Sequence, residues 1–310
     1  MAVRRPLSGA RFDLEHGAYR ASIASIGASL RMLQHDGRDL VLPFGVDEVR
    51  PVFRGAVLAP WPNRVSDGAY RFADVAEQLP LTEPERGHAL HGLALWLDFA
   101  PVARSVDRVV LAATIEPQTG YPHRIALEVE YRLDDDGLHQ SVTAHNAGGS
   151  PAPFGTGPHP YLVAGAGPLD EWLLDLPAAE VLAVTPERLL PLGVSDVTVE
   201  DGGVLDFRTP RILGSTVIDH AFTSLHRDAD GIATVRLTAP SGSGVAMRFD
   251  RSCEWVQVCT ADSGIADYHR AGLAVEPMTC PPDAFNSGCD LIVLAPDAST
   301  AASWSITALI

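Results

Sequence analysis

Long apolar runs are missing from this sequence. No stretch is long enough to cross a bilayer, so a membrane-spanning segment is not expected. The N-terminal segment MAVRRPLSGARFDLEHG carries arginines without an apolar stretch behind them, which does not fit a secretory signal. With 46% hydrophobic and 20% charged residues, the composition is that of a soluble globular protein, and we expect a cytoplasmic location.

Positive charge is also scarce. The chain has 23 Lys and Arg against 39 Asp and Glu, which gives a formal net charge of −16. A nucleic-acid backbone or an anionic membrane would not be attracted over a distance by such a chain. We therefore expect a small-molecule partner, neutral or paired locally with charged residues. Separately from the charge, we expect a monomer or a homodimer.

Cysteine is rare, and all four cysteines lie in the last fifth of the chain without CxxC spacing. This pattern excludes a disulfide scaffold and disfavours zinc, so we interpret the cysteines as reduced thiols that mostly fill space. His88 and His91 are three residues apart, a spacing that suits metal ligands on a helix. The glycines around them and the lack of helical periodicity argue against that site, and no metal is expected.

Short alternating segments predict strands along most of the chain. RIALEVEYRL and LHQSVTAHN, joined by the turn DDDG, form the clearest hairpin, and TVRLTAP and VAMRF form a second one. Helix signals are weak, and residues 186–190 have room for a turn or two at most. Many short strands at regular turn spacing indicate an all-β antiparallel sandwich, while length alone leaves the number of domains open.

One imidazole is held between two prolines in the segment FGTGPHPYL. Proline fixes its own φ and favours extended geometry in the preceding residue, so His159 should lie in a stiff, non-helical segment. The upstream glycines allow close backbone approach, and a neutral imidazole can donate and accept a hydrogen bond near neutral pH. Two interpretations stay open, proton transfer and a buried histidine in a rigid turn.

Three more polar positions have a functional and a structural interpretation. Glu276 precedes Pro277 and should lie at a strand end facing a partly dry space, where a carboxylate can be tuned as a base, or else face water. Asp219 is predicted inside an apolar strand, where a charge needs a partner or a ligand. Arg64 offers a planar fork for a ligand or for a surface ion pair.

Five segments in order resemble the aldose 1-epimerase (galactose mutarotase-like) family, and together they run from about Gly55 to Asn286: APWPNRVSDGAYRF, HALHGLALW, GTGPHPYL, VIDHAF and AVEPMTCPPDAFNSG. The resemblance implies a large antiparallel β-supersandwich with a few short helical turns and one domain over residues 1–310. It also implies an open, sugar-sized cleft, no cofactor, and interconversion of the α and β anomers of a free hexose such as glucose or galactose.

The resemblance also assigns roles to residues. The family's general acid falls on His159 and its general base on Glu276. The sugar-binding residues that it implies are Asn63, Arg64, His91 and Asp219.

The chain departs from the family pattern at two positions near these motifs. Leu93 stands where a second glycine of LHGG is common, and Met278 stands where glutamine is common. Both changes alter the polarity beside the ligand. Two alternatives stay open: a hexose-6-phosphate 1-epimerase, for which Arg54, Arg64 and Arg86 would supply the cations, and a carbohydrate-binding protein without turnover.

Overall fold

The computed structural model describes residues 5–310. Residues 1–4, which belong to the N-terminal segment without a predicted signal and to the predicted domain of residues 1–310, lie outside the described residues. Within residues 5–310 no helix is long and apolar enough to cross a membrane. Strands and connecting turns make up nearly all of this range.

Over the described range the chain forms 27 strands and one short α-helix, with the following bounds: β1 (Arg11–His16), β2 (Tyr19–Ala24), β3 (Ser29–His35), β4 (Arg38–Asp39), β5 (Val57–Leu58), β6 (Arg64–Ser66), β7 (Ala69–Phe72), β8 (Val75–Gln78), β9 (His88–Leu90), β10 (Ala100–Arg104), β11 (Arg108–Ile115), β12 (Ile125–Asp134), β13 (Gly137–Asn146), β14 (Ala152–Phe154), β15 (Gly157–Pro158), β16 (Tyr161–Leu162), β17 (Leu173–Asp175), β18 (Ala178–Val184), β19 (Pro191–Asp196), β20 (Arg211–Ile212), β21 (Asp219–Leu225), β22 (Ala233–Thr238), β23 (Gly244–Phe249), β24 (Trp255–Cys259), β25 (Leu273–Met278), β26 (Ile292–Leu294), β27 (Ser299–Leu309) and α1 (Ala284–Ser287).

Three sheets carry most of these strands. The largest has nine strands in the order β10-β11-β12-β13-β27-β23-β22-β17-β20, the second has six in the order β16-β25-β24-β21-β18-β19, and the third is the N-terminal sheet β1-β2-β3-β4. The ladders between neighbours in these sheets are antiparallel. The prediction of an all-β antiparallel architecture with few short helical turns is confirmed.

The nine-stranded sheet is built from the hairpins that the sequence predicted. Strands β12 and β13 pair without interruption from Ile125 opposite Asn146 to Asp134 opposite Gly137. Along β12 every second side chain is buried, as the alternation requires, and the intervening polar residues face outward. Strands β22 and β23 form the second predicted hairpin, and β27 joins the two hairpins by pairing with both β13 and β23.

One continuous apolar core draws on all three sheets. Val129 of β12, Ile23 of β2 and Val258 of β24 belong to the same cluster, and none of the three is exposed. The six-stranded sheet therefore buries one of its faces in this core. Because side chains alternate between the two faces of a strand, the residues between these core positions point the other way.

Candidate active site

The outer face of the six-stranded sheet collects polar side chains in two cross-strand rows. In one row Tyr161 pairs with Ala274, Ala274 with Cys259, and Cys259 with Asp219. In the next row Glu276 pairs with Gln257, two residues further along each strand. We call Tyr161, Glu276, Gln257, Cys259 and Asp219 the site face, because the alternate residues of the same strands lie in the core.

His159 approaches the site face from the segment between β15 and β16. The segment is non-helical, as its prolines predict. Its backbone is held on both sides, since the His159 N–H donates to the carbonyl of Ala56 at 3.0 Å and the His159 carbonyl accepts from Gly55 at 2.7 Å. The imidazole is buried, and its Nε2 lies 3.4 Å from Oε1 of Glu276. This is within ion-pairing distance but longer than an ordinary hydrogen bond.

The predicted close backbone approach at the upstream glycines is also present. A Cβ added to Gly157 would lie 2.5 Å from the carbonyl oxygen of Pro277, and one added to Gly155 would lie 2.5 Å from the sulfur of Cys280. Neither position has room for a side chain. The glycines therefore let the His159 segment lie directly against the strand that carries Glu276.

Glu276 does not lie where the sequence pattern placed it. The prediction put it at a strand end facing a partly dry space, but it lies inside β25 with its side chain only 2% exposed. Pro277 is tolerated within the strand because the ladder between β16 and β25 ends at Ala274, and beyond it the neighbouring segment accepts the backbone N–H groups of Val275 and Thr279 but none from position 277. Among the described residues no hydrogen-bond partner reaches Oε2 of Glu276.

Burial acts on both members of the His159–Glu276 pair in the direction of the neutral form. The pKa of His159 is lowered to about 3, mainly by loss of water, with the nearby Arg50 cation acting in the same direction and a backbone hydrogen bond opposing the shift. Burial raises the pKa of Glu276 well above its ordinary value, the Asp219 carboxylate raises it further, and Arg64 lowers it. Burial therefore favours a neutral imidazole and a protonated carboxyl group, a state in which the pair holds one proton.

His91 packs beside this pair. Its ring centroid lies 4.9 Å from that of His159 at an interplanar angle of 84°, and Phe53 lies at 4.8 Å on another side. His91 itself has φ 64°, and Gly92 after it has φ 79°, where an added Cβ would meet the carbonyl of Ala59 at 2.2 Å. Burial lowers the pKa of His91 well below 6.5, with the charges of His159 and Arg64 acting in the same direction, so its imidazole is neutral.

Arg64 is buried in an ion pair. Its Nε and Nη2 donate to the two carboxylate oxygens of Glu83 at 2.8 and 3.0 Å, and Nη2 also lies 3.7 Å from Oδ2 of Asp219. Asn63 precedes it with φ 54°, and the Asn63 side-chain oxygen accepts from the Arg64 backbone N–H at 2.9 Å. The planar fork of Arg64 therefore holds a carboxylate of the protein, in an ion pair that is largely buried and does not lie at the surface.

Asp219 begins β21, whereas the sequence pattern placed it inside an apolar strand. The Thr260 N–H donates to the carbonyl of the preceding Ile218, and the Thr260 hydroxyl accepts from the Ile218 N–H and donates to the Ile218 carbonyl, so regular pairing starts at Asp219. Its carboxylate is 30% exposed and accepts a 2.6 Å hydrogen bond from the amide of Gln257. The charge is therefore partnered at a strand end, where part of it stays open to solvent.

The structure thus brings together the six residues that the sequence assigned to a site: His159, Glu276, Asn63, Arg64, His91 and Asp219. His88 is separate, because it is fully buried and its Nε2 bonds to the backbone carbonyl of Arg188. Within residues 5–310 no three His, Cys, Asp or Glu side chains are grouped so as to hold a metal ion.

Sequence reasoning missed two residues of this arrangement. Gln257 faces Glu276 directly, and it could have been found, because it is the one amide in the alternating strand WVQVC. Glu83 lies in the turn TEPERG, whose composition predicts a solvent-exposed charge. Nothing in that local pattern indicates that its carboxylate reaches Arg64.

Comparison with known proteins assigns the class of protein. The sequence model of the family described as aldose 1-epimerase matches residues 10–307. The chain is 37% identical over 289 residues to the uncharacterized protein YihR of Escherichia coli K12. The match covers 93% of this chain and 89% of that protein. The chain therefore belongs to the aldose 1-epimerase family.

Solved structures show the same fold. The aldose epimerase homologue from C. elegans superposes with a TM-score of 0.85 at 19% identity, covering 96% of this chain and 98% of that one. Galactose 1-epimerase from Lactobacillus acidophilus superposes with a TM-score of 0.79 at 20% identity, covering 97% and 95%. At these identities the likeness defines the galactose mutarotase-like fold.

Proposed function

We propose that this chain is a cofactor-independent aldose 1-epimerase that interconverts the α and β anomers of a free hexose such as glucose or galactose. The observation that carries the proposal is the approach of one imidazole and one carboxyl group to 3.4 Å in a buried site. The two oxygens that exchange protons during ring opening are bonded to the same sugar carbon. An acid and a base this close together can reach both of them.

The proposed reaction uses one shared proton. Ionised Glu276 takes the proton of the C1 hydroxyl while protonated His159 gives a proton to the ring oxygen, and the bond from C1 to the ring oxygen breaks to give the open aldehyde. After rotation about the C1–C2 bond, the C5 hydroxyl oxygen attacks the other face of C1. Its proton returns to His159, and the new C1 oxygen takes one from Glu276, which restores both groups.

The pair can hold its proton on either Glu276 or His159, as a reaction that runs in both directions requires. Burial favours the state with the proton on Glu276, whereas ring opening as written starts with it on His159. These two states have the same net charge, so pH does not change their ratio. A sugar hydroxyl that donates to the ionised carboxylate stabilises the second state, because it supplies the partner that the Glu276 carboxylate lacks within the described chain.

The remaining site residues are proposed to hold the ring. Asp219 would accept from sugar hydroxyls, Arg64 would donate to others, and Asn63 and His91 would donate or accept, which supplies proximity and orientation. We infer that the chain acts as one domain over residues 1–310, in the cytoplasm, as a monomer or a homodimer.

No metal or other cofactor enters the proposed reaction. Protein treated with a chelator is therefore expected to keep full activity in the assay described below. Activity that disappears with chelator and returns with added zinc would contradict this part of the proposal.

The sugar-phosphate alternative has less support. A phosphate dianion needs two or more available cations, and Arg64 and Arg86 both donate to the same carboxylate, that of Glu83. The third candidate, Arg54, is buried, donates to the carbonyl of Pro43 at 3.1 Å and lies over the ring of Tyr268. These arginines do not form a free cluster.

The direct test is polarimetry of freshly dissolved α-anomers over a panel of free and phosphorylated sugars. At least one free hexose is expected to reach its anomeric equilibrium faster with enzyme than without. A flat response for every sugar, together with measurable sugar binding, would replace the proposal with a carbohydrate-binding protein.

A further inference from the structure

The turn that follows β8 presents a buried carboxylate to the site. Glu83 is closed into this turn by backbone hydrogen bonds, since its N–H donates to the carbonyl of His88 and its own carbonyl accepts from Arg86, Gly87 and His88. Its side chain is 7% exposed, as low as the buried site residues. A surface turn does not require a buried charge, so the carboxylate must be stabilised by what it contacts.

Glu83 contacts two arginines. One of its oxygens accepts from Nε of Arg64 at 2.8 Å, and the other accepts from Nη2 of Arg64 and from Nη1 of Arg86, both at 3.0 Å. The bond to Arg64 is a bidentate fork, in which both the plane and the rotation of the guanidinium group are fixed. The third nitrogen of Arg64, Nη1, lies 3.5 Å from the side-chain oxygen of Asn63, and Nη2 also lies 3.7 Å from a carboxylate oxygen of Asp219.

The contact with the two arginines outweighs the effect of burial on the pKa of Glu83. Burial alone would raise the pKa of the carboxyl group, yet the hydrogen bonds and charges of Arg64 and Arg86 hold it below its ordinary value. Glu83 is therefore ionised at neutral pH. Its negative charge and that of Asp219 balance the two arginine charges on this side of the site.

We propose that Glu83 is a positioning residue that acts through Arg64, holding its guanidinium group in one orientation towards the sugar and cancelling the positive charge that would otherwise admit anions. The sugar half of this inference rests on the proposed function. The charge half does not, since it concerns only which ions the site accepts.

The test compares Glu83→Gln with Glu85→Gln, which removes the same charge from an exposed position of the same turn. Inorganic phosphate is the probe, with its Kd measured by titration calorimetry on the folded protein. Glu83→Gln should bind phosphate at least about tenfold more tightly than wild type and Glu85→Gln, because Arg64 and Arg86 lose their counter-ion. Equal phosphate affinity in the two variants would overturn the charge half.

The sugar half, that Glu83 positions Arg64 towards the sugar, is tested with the sugar that polarimetry identifies. Glu83→Gln should raise KM about tenfold and change kcat by less than about threefold, the pattern of a lost binding contact. In an Arg64→Gln background the same substitution should have no further effect on KM, because Glu83 acts through that arginine. A KM effect of full size in both backgrounds would contradict the proposal.

Glu83→Asp separates orientation from charge if Glu83→Gln does not fold. It keeps the carboxylate but shortens the side chain by one methylene, so it should raise KM without any gain in phosphate binding. A wild-type KM for this variant would overturn positioning. If wild type turns over no sugar at all, the proposed function fails, and the phosphate comparison still decides the charge half.

Discussion

The nine-stranded sheet and the site face of the six-stranded sheet differ in the length of their strands and in the side chains that they bury. In the hairpin of β12 and β13, ten consecutive residue pairs keep one register, and the alternate side chains of β12 are apolar and buried, while β13 also buries the polar Gln140 and Asn146. The strands of the site face are two to seven residues long, and they bury a carboxyl group and an amide, with the imidazole of His159 buried beside them. The first region resembles a regular sheet core, and the second departs from one.

Within the described chain, several buried polar atoms of the site lack partners, as does Nε2 of Gln140 in the nine-stranded sheet. Oε2 of Glu276, Oε1 of Gln257 and Nδ1 of His159 are all buried without a hydrogen-bond partner in residues 5–310. Each such atom costs about 1–3 kcal/mol in folding. The regular sheet therefore stabilises a fold in which these polar atoms stay buried without partners inside the described part of the protein.

The largest expected effect comes from removing the basic carboxylate from the site face. Glu276→Gln keeps the shape of the side chain and removes its basicity, so turnover should fall about a hundredfold or more while sugar binding persists. His159→Asn should give a comparable loss. Steady-state polarimetry together with calorimetric sugar binding measures both effects.

The control for this prediction is Glu130→Gln in the nine-stranded sheet. Glu130 pairs with Arg108 on the outward face of that sheet, far from the proposed chemistry, and its substitution should leave turnover unchanged. Near-normal turnover in Glu276→Gln would remove Glu276 from the mechanism.

The sequence predicts the regular sheet better than the site, because local pattern determines the first and long-range pairing the second. The sequence predicts the hairpin of β12 and β13 and that of β22 and β23, because local alternation of apolar residues and a turn determine them. The grouping of the site residues rested on the family resemblance. Residues that lie between positions 63 and 276 in sequence are brought together only by long-range strand pairing.

Local pattern fails where a neighbouring element changes the meaning of a residue. Pro277 indicates a strand end, but β16 stops after pairing with two residues of β25, so the strand continues through the proline. Glu83 occurs in a polar turn typical of the surface, yet Arg64 of β6 reaches it. Neither outcome can be derived from residues adjacent in sequence.

The second prediction concerns the regular region. Val129 is fully buried in the middle of β12, and Val129→Ala removes two methyl groups from the core. The free energy of unfolding should fall by about 2 kcal/mol, while KM and kcat per folded molecule stay at their wild-type values. Chemical denaturation and polarimetry measure the two halves. A changed KM would show that the two regions are coupled.

A smaller effect is expected from the same Glu276→Gln variant when its stability is measured. The pKa of Glu276 is raised in the folded protein, so the native state binds more protons than the unfolded state above pH 4.5. This carboxyl group therefore contributes stability below its unfolded pKa and loses it as pH rises towards the folded pKa. Because the variant lacks this loss, it should equal or exceed wild type in stability at neutral pH, by up to about 1 kcal/mol.

Thermal unfolding of both proteins between pH 4.5 and pH 8 measures the difference. The Tm advantage of the variant should grow as pH rises. An advantage that shrinks over this range would mean that Glu276 is ionised and stabilised by His159 in the folded protein, which would reverse the direction of its shift.

The smallest expected effect is that of salt on the free-sugar reaction. The charges beside the site are paired within the protein, Arg64 and Arg86 with Glu83, and a neutral sugar adds no charge for salt to screen. Raising the ionic strength from low to about 0.5 M should therefore change kcat/KM for a free aldose by less than about twofold. The corresponding 6-phosphate should be turned over less efficiently, because Asp219 repels its dianion and Glu83 already occupies two arginines. A 6-phosphate preferred by about tenfold or more, with strong salt dependence and loss of that preference in Arg54→Ala or Arg86→Ala, would replace the free hexose with the phosphorylated one as the substrate.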